Sequence, residues 1–378
     1  MAKSYNNLWQ KMVDPINIES AIYSAAKGKG RKRQVQNALA DVSATVARIK
    51  GMLERDEWRP PEVREGRMFK DPRSGKTRPL VKPDFDEQIV HHLLIDFVIA
   101  PIFKPTFYEW SCGSIPGRGQ EMMAKHIMRK IKRGGRRVKY CAVLDIAKCF
   151  PSINTDAVYR AIAAKIRDKR VLHIVRLILA ANVVRFADGA EMRGGLPIGL
   201  FTSPWFVNIA LTVADMAVKT PTPRRNGIYL YARYIDDMLL IHGNKRELKR
   251  AIEELGRILA NMGLRLKHAS GIEFFKVVRF TGFHAMRERT CVRDRVFLRA
   301  RRTGARIRRK LAHRVRVTAY DAERLISYGG RFRSFGSYCA FPSQVLRGIK
   351  FYLMRQKVSC RDKRKTYTRK ATKNAMSV

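Results

Sequence analysis

Between residues 228 and 243 the chain reads IYLYARYIDDMLLIHG, two apolar runs closed around an adjacent pair of acids. Such runs read as strands, and the acids between them mark the tip of a β-hairpin. A carboxylate is costly to bury unless it is paired or binds a metal. A second run, YCAVLDIAKCFPSIN (140–154), reads as a buried strand that ends in a turn, with Asp145 at its end. Three carboxylates, Asp145, Asp236 and Asp237, aimed from strand ends toward one place repel unless divalent cations sit among them. An oxygen-rich set of this kind suits Mg²⁺, which keeps waters and takes further ligands from phosphates. Two such ions can activate an attacking 3′-hydroxyl and stabilise a leaving pyrophosphate. The plainer reading of Asp-Asp is a turn, because Asp tolerates turn geometry. Tyr234 before the pair, the lack of a glycine after it and the acid-bearing strand upstream argue against that reading.

Composition narrows the partner. Lys and Arg total 77 against 32 acids, a formal net charge of +45 and a pI near 10.7. Self-repulsion on that scale is relieved by a polyanion, with release of its counterions. An anionic membrane is the other polyanion. It would call for a basic amphipathic helix or a long apolar span, and no uninterrupted apolar run of about eighteen residues occurs. The start, MAKSYNNLWQKMVDP, lacks the apolar stretch of a signal peptide. A soluble, cytoplasmic protein that binds nucleic acid and no membrane is expected. The 378 residues, 46% apolar, suit one continuous catalytic body with subdomains. Cys112, Cys141, Cys149, Cys291, Cys339 and Cys360 form no C-x-x-C pair and read as reduced thiols.

Along the chain, AAKGKGRKR (25–33) is a basic loop. Val35, Leu39, Val42, Val46, Ile49 and Leu53 form one apolar stripe and predict a single helix, ended by Trp58-Arg59-Pro60-Pro61. MFKDPRSGKTRPLVKP (68–83) reads as a hairpin turning at 71–75, and 85–100 as an apolar helix. WSCGSIPGRGQ (110–120) reads as a Gly/Pro loop, with helices from 154 to about 181. GGLPIGLFTSP (194–204) is a loop leading into a helix. Asn244 with Glu247 is a capping-box pattern opening a helix that Gly263 stops. GLRLKH and VVRFTGFHA are short strands, and from Cys291 the chain is dense in arginine, a separate basic subdomain.

Tyr234-Ile235-Asp236-Asp237 resembles the Y-x-D-D motif of reverse transcriptases, and 144–153 around Asp145 resembles their first metal-binding motif. Gly195-Leu196-Pro197-Ile198-Gly199 with Thr202-Ser203-Pro204 resembles their loop for template and incoming nucleotide. Gly263-Leu264-Arg265-Leu266-Lys267 resembles the next motif, and Phe280-Thr281-Gly282-Phe283 the primer grip. The five occur in the family's order between about Arg78 and Phe283. The resemblance implies an α+β right-hand polymerase: an antiparallel palm sheet with flanking helices, fingers and a helical basic thumb. Expected divisions are an N-terminal helical extension 1–60, fingers and palm 61–290, a thumb 291–345 and a basic tail 346–378.

It also implies roles. Asp145, Asp236, Asp237 and the Ile146 carbonyl hold two Mg²⁺ ions, with Mn²⁺ able to substitute. Phe150 is the steric gate beneath the sugar, selecting deoxynucleotides; a core ring is the other reading. Arg78 grips the triphosphate, and guanidinium suits phosphate. Lys70 and Lys76 join it, or belong to a solvated hairpin face. Gly195, Pro197, Ile198, Gly199 and Ser203 cradle the substrate; Phe280, Gly282 and Phe283 grip the primer. Lys267 neutralises or protonates pyrophosphate, or is a surface lysine.

The implied activity is RNA-directed DNA synthesis on an associated non-coding RNA, with dNTPs and an RNA–DNA hybrid as partners. An accessory protein and a second copy of the chain stay open as further partners. Ile198, standing where intron and retron enzymes usually carry Gln, resembles diversity-generating retroelement and defence-associated bacterial enzymes, although Ser203-Pro204 departs from the former's Ser-Gln. Residues 326–341 resemble the thumb of the same group. The arginine-rich end fits duplex-backbone binding. Tyr320, Tyr328, Phe332, Phe335 and Tyr338 stack on nucleic acid or fill a core. The rivals are a catalytically silent RNA-binding scaffold, which the three intact acids oppose; an RNA-templated RNA polymerase, which Phe150 opposes; and a group II intron or retron-like enzyme.

Overall fold

The computed structural model describes residues 4–70, 77–221, 227–267, 271–288 and 290–315, with 317, 318, 321, 324, 327 and 328. The hairpin turn with Lys76, the residues Tyr320, Phe332, Phe335 and Tyr338, and the tail 346–378 lie outside these. Helices and strands alternate in the expected α+β class. Two compact units form: Met1–Gly119 with Tyr140–Glu273, and Gln120–Lys139 with Phe274–Val378. This division differs from the expected boundaries at 60, 290 and 345. The helix Gln120–Arg133 belongs to the second unit although its neighbours in sequence belong to the first. Its apolar face of Met123, Ala124, Ile127 and Ile131 says that it packs, not on which core.

Among the described residues the strands are β1 (Val63–Lys70), β2 (Thr77–Val81), β3 (Ser111–Cys112), β4 (Tyr140–Asp145), β5 (Val183–Arg185) and β6 (Glu191–Met192). They continue as β7 (Leu230–Tyr234), β8 (Asp237–His242), β9 (Glu273–Phe274), β10 (Val278–Phe280), β11 (Phe283–Ala285) and β12 (Thr290–Val292).

The sheet at the heart of the first unit has the order β3-β7-β8-β4-β9. β7 and β8 form the expected hairpin, and β4 lies antiparallel to β8 from Tyr140↔His242 to Asp145↔Asp237. β3 sits inside the segment that read as a loop, parallel to β7 with Ser111↔Arg233 and Cys112↔Tyr234. Two residues are too few to show an alternating period. The second sheet, β2-β1-β5-β6, carries the expected β1–β2 hairpin, paired from Gly66↔Val81 to Lys70↔Thr77. Its root is locked to the body. Arg64, buried on β1, donates from Nε to the Ala181 carbonyl at 2.9 Å and pairs with buried Glu87.

Helices Pro15–Ala26, Phe85–Leu93, Ser203–Lys219 and Lys245–Ala260 contribute to one core against the central sheet. Asn244 caps the last, accepting from the amides of Arg246 and Glu247. The stripe from Val35 to Leu53 is two helices, Arg33–Ala40 and Val42–Glu54. Asp41 leaves helical geometry (φ −138°) and accepts from Ala44 N at 2.9 Å, so its carboxylate starts a new helix where the period alone predicts continuation. The apolar helix from Phe85 runs on through a π-helical stretch, Leu94–Ile99, to Thr106. Its 22 residues are long and apolar enough to cross a membrane by length and composition, although charges such as Asp96 interrupt the apolar run. Ile89, Val90, Leu93, Leu94, Ile95, Val98 and Ile99 are core here.

In the second unit β10, β11 and β12 form an antiparallel sheet. Helix Asp294–Ala312 buries Ala300, Thr303, Gly304 and Ile307 and exposes Arg295, Arg301, Arg302, Arg308 and Arg309. A one-sided small-residue stripe leaves those cations in water.

Candidate active site

The register of the central sheet brings the acids together. Asp145 ends β4 directly opposite Asp237, which starts β8. Asp236 sits in the two-residue turn between Tyr234 and Asp237, and its carbonyl accepts from Ile146 N at 3.2 Å. Like charges opposite one another across a sheet are unfavourable without a compensating cation. Burial raises the Asp236 carboxyl above the ordinary value, and the Asp145 charge raises it further, while a backbone hydrogen bond and the Arg78 and Lys267 charges oppose the rise. Cys149, buried beside these acids, is pushed up to about 12, first by burial and then by Asp236.

Lys267 joins them from an extended segment that bridges to Ile146. Its amide donates to the Asp145 carbonyl at 2.8 Å, and Ala147 N donates to Arg265 O at 2.9 Å. Its Nζ lies 2.7 Å from Asp145 Oδ2, while half of the side chain faces solvent. Hydrogen bonding to Asp145 raises the ammonium, helped by the Asp145, Asp236 and Asp237 charges.

Three carboxylates and the Ile146 carbonyl are hard oxygen donors, and repulsion between Asp145 and Asp236 is what a divalent cation relieves. The donor chemistry fits. Among the described residues no three acids, histidines or cysteines are already closed around a metal-sized space.

The glycine loop is clamped onto this end of the sheet. Leu196 N donates to Phe150 O at 2.7 Å. Gly195 has φ +65°, and a Cβ on it would lie 2.3 Å from the Pro151 oxygen and 2.4 Å from the Phe150 oxygen. Gly199, at φ +121°, presses on β2, where a Cβ would lie 2.1 Å from Val81 O. Val81 N donates to Ile198 O at 2.8 Å. Only glycine tolerates both the backbone angle and the approach. Pro197 and Ser203 are buried, and Ser203 Oγ donates to Pro197 O at 2.7 Å. Ser203 thus shapes the loop from within.

Phe150 sits in the short helix Cys149–Ser152, half-buried and packed against the core. Arg78 is exposed on β2 opposite Phe69, and its charge is felt at Asp236. Lys70 is exposed opposite Thr77, and nothing among the described residues ties it to the acids.

Phe280 and Phe283 belong to the second unit. Their rings are 1% and 0% exposed and meet edge to face at 6.3 Å. The resemblance assigned Phe280, Gly282 and Phe283 to a primer grip, and the two rings are core in this hairpin. Buried rings fix a hairpin, and what it can present is the turn Thr281-Gly282, both with positive φ.

Sequence reasoning missed a buried set behind the acids. Arg233 and Asp215 are fully buried and pair at 2.7 Å. Burial alone would lower the guanidinium, but the Asp215 charge and hydrogen bonds overrule it and raise it. An arginine in an apolar strand and an aspartate in an apolar helix were the available signal.

Curated relatives match over part of the chain. The group II intron-encoded protein LtrA of Lactococcus lactis subsp. cremoris is 28% identical over 145 residues, 38% of this chain and 23% of its own length. An uncharacterized 91 kDa protein in the cob intron of Schizosaccharomyces pombe is 29% identical over 149 residues, 39% of this chain and 18% of its own. The chain thus spans about a fifth of the length of these relatives. Among solved structures, apo telomerase from Candida tropicalis, truncated from its C-terminal domain, aligns with a TM-score of 0.45 at 14% identity. The alignment covers 62% of this chain and 56% of that one. Residues 69–285, more than half of the chain, match the family described as reverse transcriptase (RNA-dependent DNA polymerase). That span holds every acid, glycine and lysine of the site, and the chain belongs to the reverse transcriptase family, with the right-hand polymerase fold its motifs imply.

Proposed function

We propose that this chain is an RNA-directed DNA polymerase that copies a structured non-coding RNA into cDNA by two-metal nucleotidyl transfer. Its setting is the bacterial cytoplasm, in anti-phage defence or a diversity-generating retroelement. The observation that carries the chemistry is the sheet register that sets Asp145 opposite Asp237, with Asp236 in the adjoining turn and its carbonyl held by Ile146 N at 3.2 Å. Mg²⁺ bound by these oxygens, with Mn²⁺ able to substitute, supplies the Lewis acidity that lowers the barrier at the 3′-hydroxyl and the leaving pyrophosphate.

The chain's own residues do the rest. Arg78 meets the triphosphate of the incoming dNTP with its planar fork of donors. Lys267, paired with Asp145, turns to the pyrophosphate oxygens of the substrate and donates charge or a proton there. Phe150, fastened through its carbonyl to Leu196, lies under the sugar and leaves no room for a 2′-hydroxyl. The exposed arginines of Asp294–Ala312 hold the hybrid through its phosphates, reading shape and not sequence.

The intron-encoded relatives favour a second reading, an enzyme of the group II intron type. The bound RNA discriminates: recovery and sequencing of RNA and cDNA from the host-purified protein yields an intron in the second case. Asp236→Asn is expected to abolish primer extension on an RNA template while leaving RNA binding nearly intact. Undiminished extension would sink the assignment of the acids. RNA affinity should fall steeply with salt, and a flat titration contradicts phosphate contact by the arginines.

A further inference from the structure

Ile235, beside Asp236 in the catalytic turn, has φ +57°. For a β-branched residue this is a strained conformation that persists only when its surroundings over-determine it. Both of its peptide groups are held. Its N–H donates to Cys112 O at 3.2 Å, and its carbonyl accepts from Arg233 Nη1 at 3.0 Å. Gly113 makes room for its side chain, since a Cβ there would lie 2.8 Å from Ile235 Cγ1.

Arg233 is itself fixed from a different element. Its Nε and Nη2 donate to the two oxygens of Asp215, each at 2.7 Å, and Nη1 donates to Asn208 Oδ1 at 2.8 Å. Asp215 also accepts from Ser111 Oγ at 2.5 Å and from the Tyr231 hydroxyl at 2.7 Å. Asn208 in turn donates to Gly113 O at 3.1 Å. Asp215 and Asn208 lie on Ser203–Lys219, whose first residue fastens the glycine loop through Pro197. A fully buried ion pair is weak evidence for stability, because an apolar pair of the same volume often serves as well. What an apolar pair cannot do is hold a carbonyl.

We infer that Arg233, oriented by Asp215 and Asn208, is a positioning residue that holds the Ile235–Asp236 turn in its strained form. It thereby sets the Asp236 carboxylate and ties it to the helix that begins at the nucleotide loop. The inference rests on the polymerase reading of the acids, and its test separates the two.

The test uses the full chain and three variants: Asp215→Leu with Arg233→Met, the same pair with Ile235→Gly added, and Arg233→Lys. Each is assayed for denaturation midpoint, for Mn²⁺ binding by electron paramagnetic resonance without substrate, and for primer extension on an RNA template. The apolar pair should fold, lose about 100-fold in kcat with KM for dNTP little changed, and bind Mn²⁺ about tenfold more weakly. Glycine adopts positive φ without help, so Ile235→Gly should restore about tenfold of both losses. Arg233→Lys keeps the charge against Asp215 but not the fork, and should show the same split if the apolar pair fails to fold. Unchanged kcat and Mn²⁺ binding in the folded variants overturns the inference, as does a loss that Ile235→Gly does not relieve. If the wild-type chain extends no primer, the polymerase reading fails while the Mn²⁺ comparison still decides the positioning role.

Discussion

Gly194 and Gly195 are neighbours with positive φ, +88° and +65°, but they differ in what surrounds them. A Cβ on Gly194 meets nothing within 4 Å, whereas one on Gly195 lies 2.3 Å from the Pro151 oxygen. Gly194→Ala therefore reports the backbone term alone, about 1–2 kcal/mol for an L-residue in the left-handed region. Gly195→Ala adds an overlap about 1 Å short of the 3.4 Å at which ordinary contact begins, against backbone carbonyls that have no rotamer to escape into. Overpacking of this kind costs about 1–3 kcal/mol more. Giving way means moving the loop off Phe150 and breaking the Leu196–Phe150 bond. A displacement of about 1 Å at a site that positions reactants costs about 10²-fold in rate. The assay is urea denaturation and steady-state primer extension on the two variants side by side. Gly195→Ala should be about 1–3 kcal/mol less stable than Gly194→Ala, with kcat about 100-fold lower. Equal midpoints and equal rates would refute the claim that close approach to Phe150 and Pro151 is what requires glycine.

Phe150→Ala is expected to relax sugar discrimination, read as the ratio of dNTP to rNTP incorporation in single-nucleotide extension; an unchanged ratio leaves Phe150 as core alone. His91, fully buried, is pushed down to about 3 by burial and by the Arg64 and His92 charges. The folded state then refuses a proton that the unfolded chain accepts below about 6.5. Stability from this group is complete above that pH and is lost as pH falls toward 3. The stability difference between wild type and His91→Gln should therefore shift by on the order of 3 kcal/mol between pH 7 and pH 4, and parallel pH profiles would contradict it. Asn244→Ala removes the cap of Lys245–Ala260 and should cost about 1 kcal/mol in urea denaturation; no change would mean the cap bonds to Arg246 and Glu247 contribute nothing net.

Local signals carried far in this chain. The acids at strand ends, the β7–β8 hairpin, the Asn244 cap and the glycine loop are each written within a few residues, because burial cost, turn chemistry and capping are short-range effects. The arginine density from Cys291 was legible too, whereas a helix there was implied only by the resemblance to a polymerase thumb. Other features exist only between distant segments. That Asp145 faces Asp237 is a matter of register, and a slip of one residue would turn every side chain to the other face. The strand Ser111–Cys112 forms only because β7 offers it an edge. The stripe from Val35 to Leu53 keeps its period through a break that Asp41 makes by capping. Gln120–Arg133 shows its apolar face in sequence but not the core it joins.

Arg233 and Asp215 state the difference most plainly. Each is anomalous in its own apolar element, and each alone would carry a prohibitive desolvation cost. Only the packing of helix Ser203–Lys219 beneath the hairpin brings them together, and with that contact the carbonyl of Ile235 gains the donor that holds it. The sequence by itself determined which chemistry the chain can attempt, since residue type sets charge, donor hardness and turn preference. The tertiary structure decided where that chemistry is held, because distances between carboxylates, a glycine loop and a buried guanidinium depend on contacts among segments far apart in the chain.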